Sequence, residues 1–229
     1  MSLRINGSGR KFIKWGVLGV LGCLVLGFFI RVAVWEEAYY RGMEGTERAV
    51  ATEAEPEEEE LVEVEPTVEE VQEYMVAPDR PRYLTIERLG IYNARIISVG
   101  INSKGELGTP NNIFDVGWYD ASGKPGQGGT MLLDGHNGGP NVYGIFKELP
   151  VLEYGDVIQV ERGDGKVFKY MVVENVAVSL DESNMYMATA MRSPEAGRES
   201  VTIISCTGEW SAQRSTYLSR QFTRAVLTE

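Results

Sequence analysis

The stretch "SVTIISCTGEW", Ser200 to Trp210, runs through β-branched apolar residues to a cysteine and turns at once into Thr207-Gly208. Such a run reads as a β-strand, and it delivers Cys206 to the point where the chain leaves the sheet. A buried cysteine that only packs is the ordinary reading, since cysteine is among the most buried residue types. The choice between packing and reactivity depends on what surrounds this strand.

From Pro81 onward the chain is a series of short alternating runs bounded by turn residues. "RYLTIERL", "ARIISVG", "GTMLLDGH", "DVIQVER", "KVFKYMVVENVAVSL", "SVTIISC" and "RQFTRAVL" all read as strands. "GKPGQGG", "HNGGPN" and "RGDGK" lie between them and are rich in residues that permit turns. "GDGK" is a strong hairpin signal. A short helix is expected at "NVYGIFKEL", Asn141 to Leu149, and a long loop at Ser179 to Ser200. Seven or eight short strands with irregular loops predict an all-β domain over residues 81–229, a barrel or a sandwich.

The preceding 80 residues differ in kind. Residues 1–35 carry Arg4, Arg10, Lys11, Lys14 and Arg31 and no acid, whereas residues 36–80 carry sixteen acids against three bases. The formal net charge of −11 belongs to that middle segment, and nucleic acid is excluded as an expected partner because phosphate binding needs a basic surface. "WGVLGVLGCLVLGFFI", Trp15 to Ile30, is uncharged, and apolar character resumes past Arg31 to Trp35. About twenty such residues span a bilayer core, with Trp15 and Trp35 at the interfaces and Arg31 able to snorkel. The positive charge ahead of residues 15–35 places residues 1–14 in the cytoplasm and the rest outside. A cleaved signal peptide shares this layout, but the run is long for one and "EEAYYRGMEG" offers no clear small-x-small cleavage site. The sequence therefore predicts a single-pass transmembrane signal anchor in which Cys23 packs against lipid or another helix. Residues 36–80, dense in glutamate and proline, read as a solvated, disordered acidic stalk, with a helical turn or two at Val68 to Tyr74.

Outside the span the chain has one cysteine, Cys206, and in the whole chain one histidine, His136. Both follow apolar strands and meet turns. A leftover cysteine in an exported protein points to intermolecular pairing or a reactive thiol. A Cys/His pair works by nucleophilic catalysis: the thiolate attacks a carbonyl and an imidazolium protonates the leaving amine. The oxyanion needs a donor, for which the last strand offers Arg220 and Arg224, on one face by the period of two.

The segments "VGWYDASGKPGQGGTMLLDGHN", "GIFKELPVLEYGDVIQV" and "TIISCTG" are similar to the sortase family, membrane-anchored cysteine transpeptidases of Gram-positive-type bacteria. Thr202 to Cys206 matches a T-L-x-T-C strand motif, His136 in "LLDGHN" begins a loop after an apolar strand, and "YLSRQFTRAVL" resembles the family's final strand. The pattern looks most like classes E, F or D. The resemblance implies an eight-stranded closed β-barrel with short helices, with Cys206, His136 and an arginine at one end of a groove. That arginine is expected to be Arg220, with Arg224 as the alternative. The substrate implied is an LPxTG-like sorting signal, cut between Thr and Gly and transferred to an amine of the cell wall or of a pilin. No metal or cofactor is implied, because no acidic cluster matches a class A-type calcium site.

Ser205 stands where many sortases have threonine, keeping a hydroxyl beside the cysteine. Asn137 and Asp134 flank His136 as groups that orient the imidazole or simply form the turn. Met185, Met187 and Met191 supply an adaptable lining in the long loop or pin it to the barrel. Rival readings are another exported Cys/His acyl transferase, of which the L,D-transpeptidases typically show a Ser-x-Gly-Cys motif where this chain has "IISC", a cysteine peptidase, and a non-catalytic stalked surface module whose Cys206 forms an intermolecular disulfide.

Overall fold

Eight strands make up the sheet: β1 (Pro81–Ile86), β2 (Ile91–Val99), β3 (Val116–Tyr119), β4 (Thr130–Gly135), β5 (Val157–Arg162), β6 (Val167–Ser179), β7 (Ser200–Ser211) and β8 (Thr216–Leu227). This computed structural model describes residues 61–102 and 105–228. The order around the sheet is β1-β2-β3-β4-β7-β8-β6-β5 in a closed barrel, with β5 returning to pair with β1. Closure removes every free sheet edge. β2/β3 and β4/β7 are parallel, and the other pairs are antiparallel.

The barrel interior is filled by Leu84, Ile86, Ile96, Trp118, Leu133, Ile158, Tyr170, Val201 and Ile203, closed off by Phe146 and Leu149. A second apolar layer lies on the outside of β4, β7 and β8, where Leu132, Ile204 and Phe222 pack with Ala190, Tyr186 and Met187. Alternation explains the two layers. Leu133 and Ile203 point inward while their neighbours Leu132 and Ile204 point outward, so β4 is buried along its whole length.

The outer layer is covered by a helix where the sequence predicts a loop. Leu180–Ala190 is α-helical (α2), with Asp181 and Glu182 in its first turn, the end where acids favour the helix dipole. No glycine or proline interrupts Leu180 to Ser193. Its apolar side is thin, with Met187 packed and Met185 77% exposed, so sequence periodicity does not mark it.

The helix expected at Asn141 to Leu149 does not form. Phe146 N–H donates to His136 O at 3.0 Å and Gly144 N–H to Asn137 O at 2.9 Å, so these amides turn back to the preceding loop instead of along a helix. A short 3-10 turn follows at Leu149–Val151. β3, four residues around Gly117, is too short for the sequence to show its periodicity. The "GDGK" hairpin joins β5 to β6, with Gly165 at φ +83° and Arg162 N–H donating to Lys166 O at 2.8 Å.

Ahead of β1, Val68–Glu73 forms α1, opened by a capping box between Thr67 and Glu70. This part of the acidic stretch lies against the barrel. Tyr74 donates from its hydroxyl to Ile96 O, and Arg82 Nε–H donates to Tyr74 O at 2.8 Å. Val62 bridges Asn112, and Glu63 accepts from the Asn141 amide N–H at 3.0 Å. Hydrogen bonds to the barrel hold a segment whose composition supplies little apolar surface. The expected cytoplasmic start, the span at residues 15–35 and the stalk up to residue 60 lie outside the described residues. Among the described residues, no helix is long and apolar enough to cross a membrane.

Candidate active site

Strand parity builds the site. On β7, Thr202, Ile204 and Cys206 share the outer face. Their register partners on β8 are Arg224, Phe222 and Arg220 in turn. β4 runs parallel on the other side of β7, ending with Gly135 against Ser205, so His136 leaves the sheet level with Cys206. The face thus has an apolar middle of Leu132, Ile204 and Phe222, and a polar end with His136, Cys206 and Arg220.

The loops at this end are tied by specific bonds. Asn137 Nδ2 donates to Cys206 O at 2.7 Å, joining the loop after His136 to the strand carrying the thiol. His136 Nε2 lies 2.8 Å from Pro110 O. A carbonyl oxygen only accepts, so Nε2 carries the proton in this bond, and Nδ1 is the lone-pair nitrogen of the neutral ring.

Cys206 is partly buried. Burial pushes its thiol pKa up, the Arg220 guanidinium draws it down, and Asp134 pushes it up. Asp134 is 7% exposed, and burial holds its carboxyl at about 7, opposed by the Thr109 hydroxyl bond. That hydroxyl donates to Asp134 Oδ2 at 2.7 Å. Oδ1 is buried with no hydrogen-bond partner.

The two arginines have different surroundings. Arg220 donates from Nη1 to Tyr217 O and Ser219 O, both at 3.0 Å, and from Nη2 to Thr216 Oγ1 at 3.1 Å. Its guanidinium lies along its own strand, opposite Cys206. Arg224 is 5% exposed. It donates to Glu174 and, from Nη2, to Thr189 O at 3.1 Å and Arg192 O at 2.9 Å. Arg224 therefore caps the C-terminal end of α2, at the Thr189 carbonyl and at that of Arg192 just beyond the helix, a favoured place for a cation.

Three expectations change. Ser205 does not stand beside the thiol: successive strand residues alternate faces, and its hydroxyl donates to Gly135 O at 2.9 Å. Neither Asp134 nor Asn137 has a hydrogen bond to the imidazole, which is held by the Pro110 carbonyl. Of the three methionines, Met187 packs in the outer layer while Met185 and Met191 are exposed. The sequence does not mark Thr109 and Pro110 as site residues, since nothing local links "GTPNN" to a histidine 26 positions beyond Pro110. Among the described residues, no group of three or more His, Cys, Asp or Glu is arranged to hold a metal ion.

The Sortase domain family matches residues 84–228. No curated protein sequence matches. Solved structures similar to this chain include sortase C-1 from Actinomyces oris, 23% identical over 67% of this chain and 76% of that one, TM-score 0.47. A Clostridium perfringens sortase D5 transpeptidase is 20% identical over 72% and 90%, TM-score 0.46. Streptococcus pneumoniae sortase C is 17% identical over 68% and 72%, TM-score 0.47. The family match spans the barrel from β1 to β8 and takes in the strands that carry Cys206, His136 and Arg220, and the chain belongs to the sortase family of cysteine transpeptidases.

Proposed function

We propose that this sortase cuts an LPxTG-like sorting signal between Thr and Gly and joins the threonyl end to an amine of the cell wall or of a pilin. The observation that carries the reading is the register of Cys206 with Arg220, one strand away from the end of β4 where His136 emerges. Cys206 Sγ, as thiolate, bonds to the threonyl carbonyl carbon and the carbonyl oxygen takes the negative charge, stabilised by Arg220. As the C–N bond breaks, His136 as imidazolium gives its proton to the departing glycine amine. The incoming amine then attacks the thioester, His136 takes a proton from it, and Sγ leaves as thiolate.

The reading extends to location. Residues 15–35 anchor the protein in the cell membrane of a Gram-positive-type bacterium, with residues 1–14 cytoplasmic and the barrel outside. The distribution of charge around residues 15–35 supports this.

The test is incubation of the full chain, in detergent or nanodiscs, with a library of LPxTG-like peptides and an amine acceptor. A threonyl adduct on Cys206 is expected by mass, followed by amide product, with neither in Cys206→Ala and no product in His136→Ala. Adducts resolved only by water would make the protein a peptidase. A reactive thiol that acquires no adduct from any peptide would overturn the reading.

A further inference from the structure

Asp134 is out of place as an ordinary core residue. β4 is buried at every position, and an acid on such a strand carries a desolvation cost that an apolar residue would avoid. The neighbouring strand makes room for it. Gly117 is the β3 register partner of Asp134, and a Cβ on Gly117 would lie 2.0 Å from Asp134 Oδ1 and 3.0 Å from Pro110 Cδ. Only glycine lets β3, the carboxyl and the Pro110 ring meet.

The carboxyl reaches one loop and the loop reaches the histidine. Asp134 Oδ2 accepts from Thr109 Oγ1 at 2.7 Å. Thr109 precedes Pro110, whose carbonyl lies 2.8 Å from His136 Nε2. Proline narrows the backbone freedom of the residue before it, so fixing Thr109 restricts where the Pro110 carbonyl points. Asp134 and His136 are two residues apart, yet the connection between them runs through another loop.

We infer that Asp134 is a positioning residue for His136: through Thr109 it holds the Pro110 carbonyl that keeps the imidazole proton on Nε2. The nitrogen that exchanges a proton with substrate is then Nδ1. This rests on His136 as the proton-transfer group of the proposed reaction. A loosened Pro110 carbonyl would let the ring turn or change tautomer, and a misplaced general acid slows chemistry more than it weakens peptide binding.

His136 is the only histidine, so the imidazole nitrogens of uniformly 15N-labelled full chain in detergent give one unambiguous set of signals. The neutral ring of the wild type is expected to show a protonated Nε2 and an unprotonated Nδ1. Thr109→Val removes the hydroxyl at nearly constant shape and should mix the tautomers, lowering kcat about tenfold or more with little change in KM. Asp134→Asn retains an acceptor for Thr109 and should keep the wild-type tautomer, whereas Asp134→Ala should lose it. A Thr109→Val protein with wild-type tautomer and kcat overturns the inference, as does an Asp134→Asn protein that loses the tautomer as fully as Asp134→Ala. If Asp134→Ala does not fold, Thr109→Val decides. If the wild type has no transpeptidase activity, the proposed function fails while the nitrogen signals still decide the positioning.

Discussion

Cys206 and Arg220 face one another as register partners on antiparallel β7 and β8, and Arg224, four residues along β8, faces Thr202 instead. Period-two geometry puts both arginines on the outer face, and their neighbours separate them. Arg220 holds only carbonyls and a hydroxyl of its own strand, while Arg224 is locked between Glu174 and the end of α2.

Arg220→Ala is therefore expected to lower the acylation rate by about 10²–10³ if the guanidinium stabilises the oxyanion, with a thermal midpoint close to wild type. Single-turnover adduct formation followed by mass measures the first, and a melting curve the second.

Arg224→Met should do the reverse. It leaves the half-buried Glu174 with the Tyr186 hydroxyl alone and the Thr189 and Arg192 carbonyls without the guanidinium, a loss of about 3 kcal/mol, measurable by urea unfolding. Acylation per folded molecule should stay within about tenfold of wild type, because the reacting end of the face is built by other residues.

The thiol should report its neighbours. Burial raises the Cys206 pKa and Asp134 adds to the rise, while Arg220 opposes it. Alkylation by iodoacetamide should reach half its maximal rate above the ordinary thiol value of about 8.5. Arg220→Gln should move that midpoint to higher pH, and Asp134→Asn to lower pH.

Asp134 makes stability depend on pH. Its folded pKa of about 7 lies above the ordinary carboxylate value of 3.8, so the folded state binds the proton more tightly than the unfolded chain. The associated stability is fully present below the unfolded pKa and is lost as pH rises through about 7, by on the order of 4 kcal/mol. Unfolding of wild type and Asp134→Asn between pH 4 and 9 checks this: the difference should shift toward the variant as pH rises.

Gly117→Ala should destabilise the barrel by about 1–3 kcal/mol, because the added methyl meets Asp134 Oδ1. Removing the obstacle should recover part of the loss, so Gly117→Ala with Asp134→Gly should be less unstable than the sum of the two single variants. Denaturation of the four proteins completes the cycle.

Most strands were legible because alternation and turn residues are local properties. "SVTIISC" and "MLLDGH" show both the strands and the rare residues at their ends. β3 escaped because four residues around a glycine carry no period, and α2 because its exposed methionine, Met185, blurs the apolar side. The helix expected at Asn141 to Leu149 failed for the converse reason: its apolar spacing is real, with Phe146 and Leu149 buried, but bonds to His136 and Asn137 turn the backbone back.

Residue type and a period of two are enough to put a thiol and an imidazole at strand ends, an all-β domain around them, and two arginines on one strand face. Only the folded barrel brings Arg220, and not Arg224, opposite Cys206 and sets the Pro110 carbonyl against the imidazole. These depend on register between distant strands and on a carbonyl 26 residues from the histidine, and no local pattern encodes either.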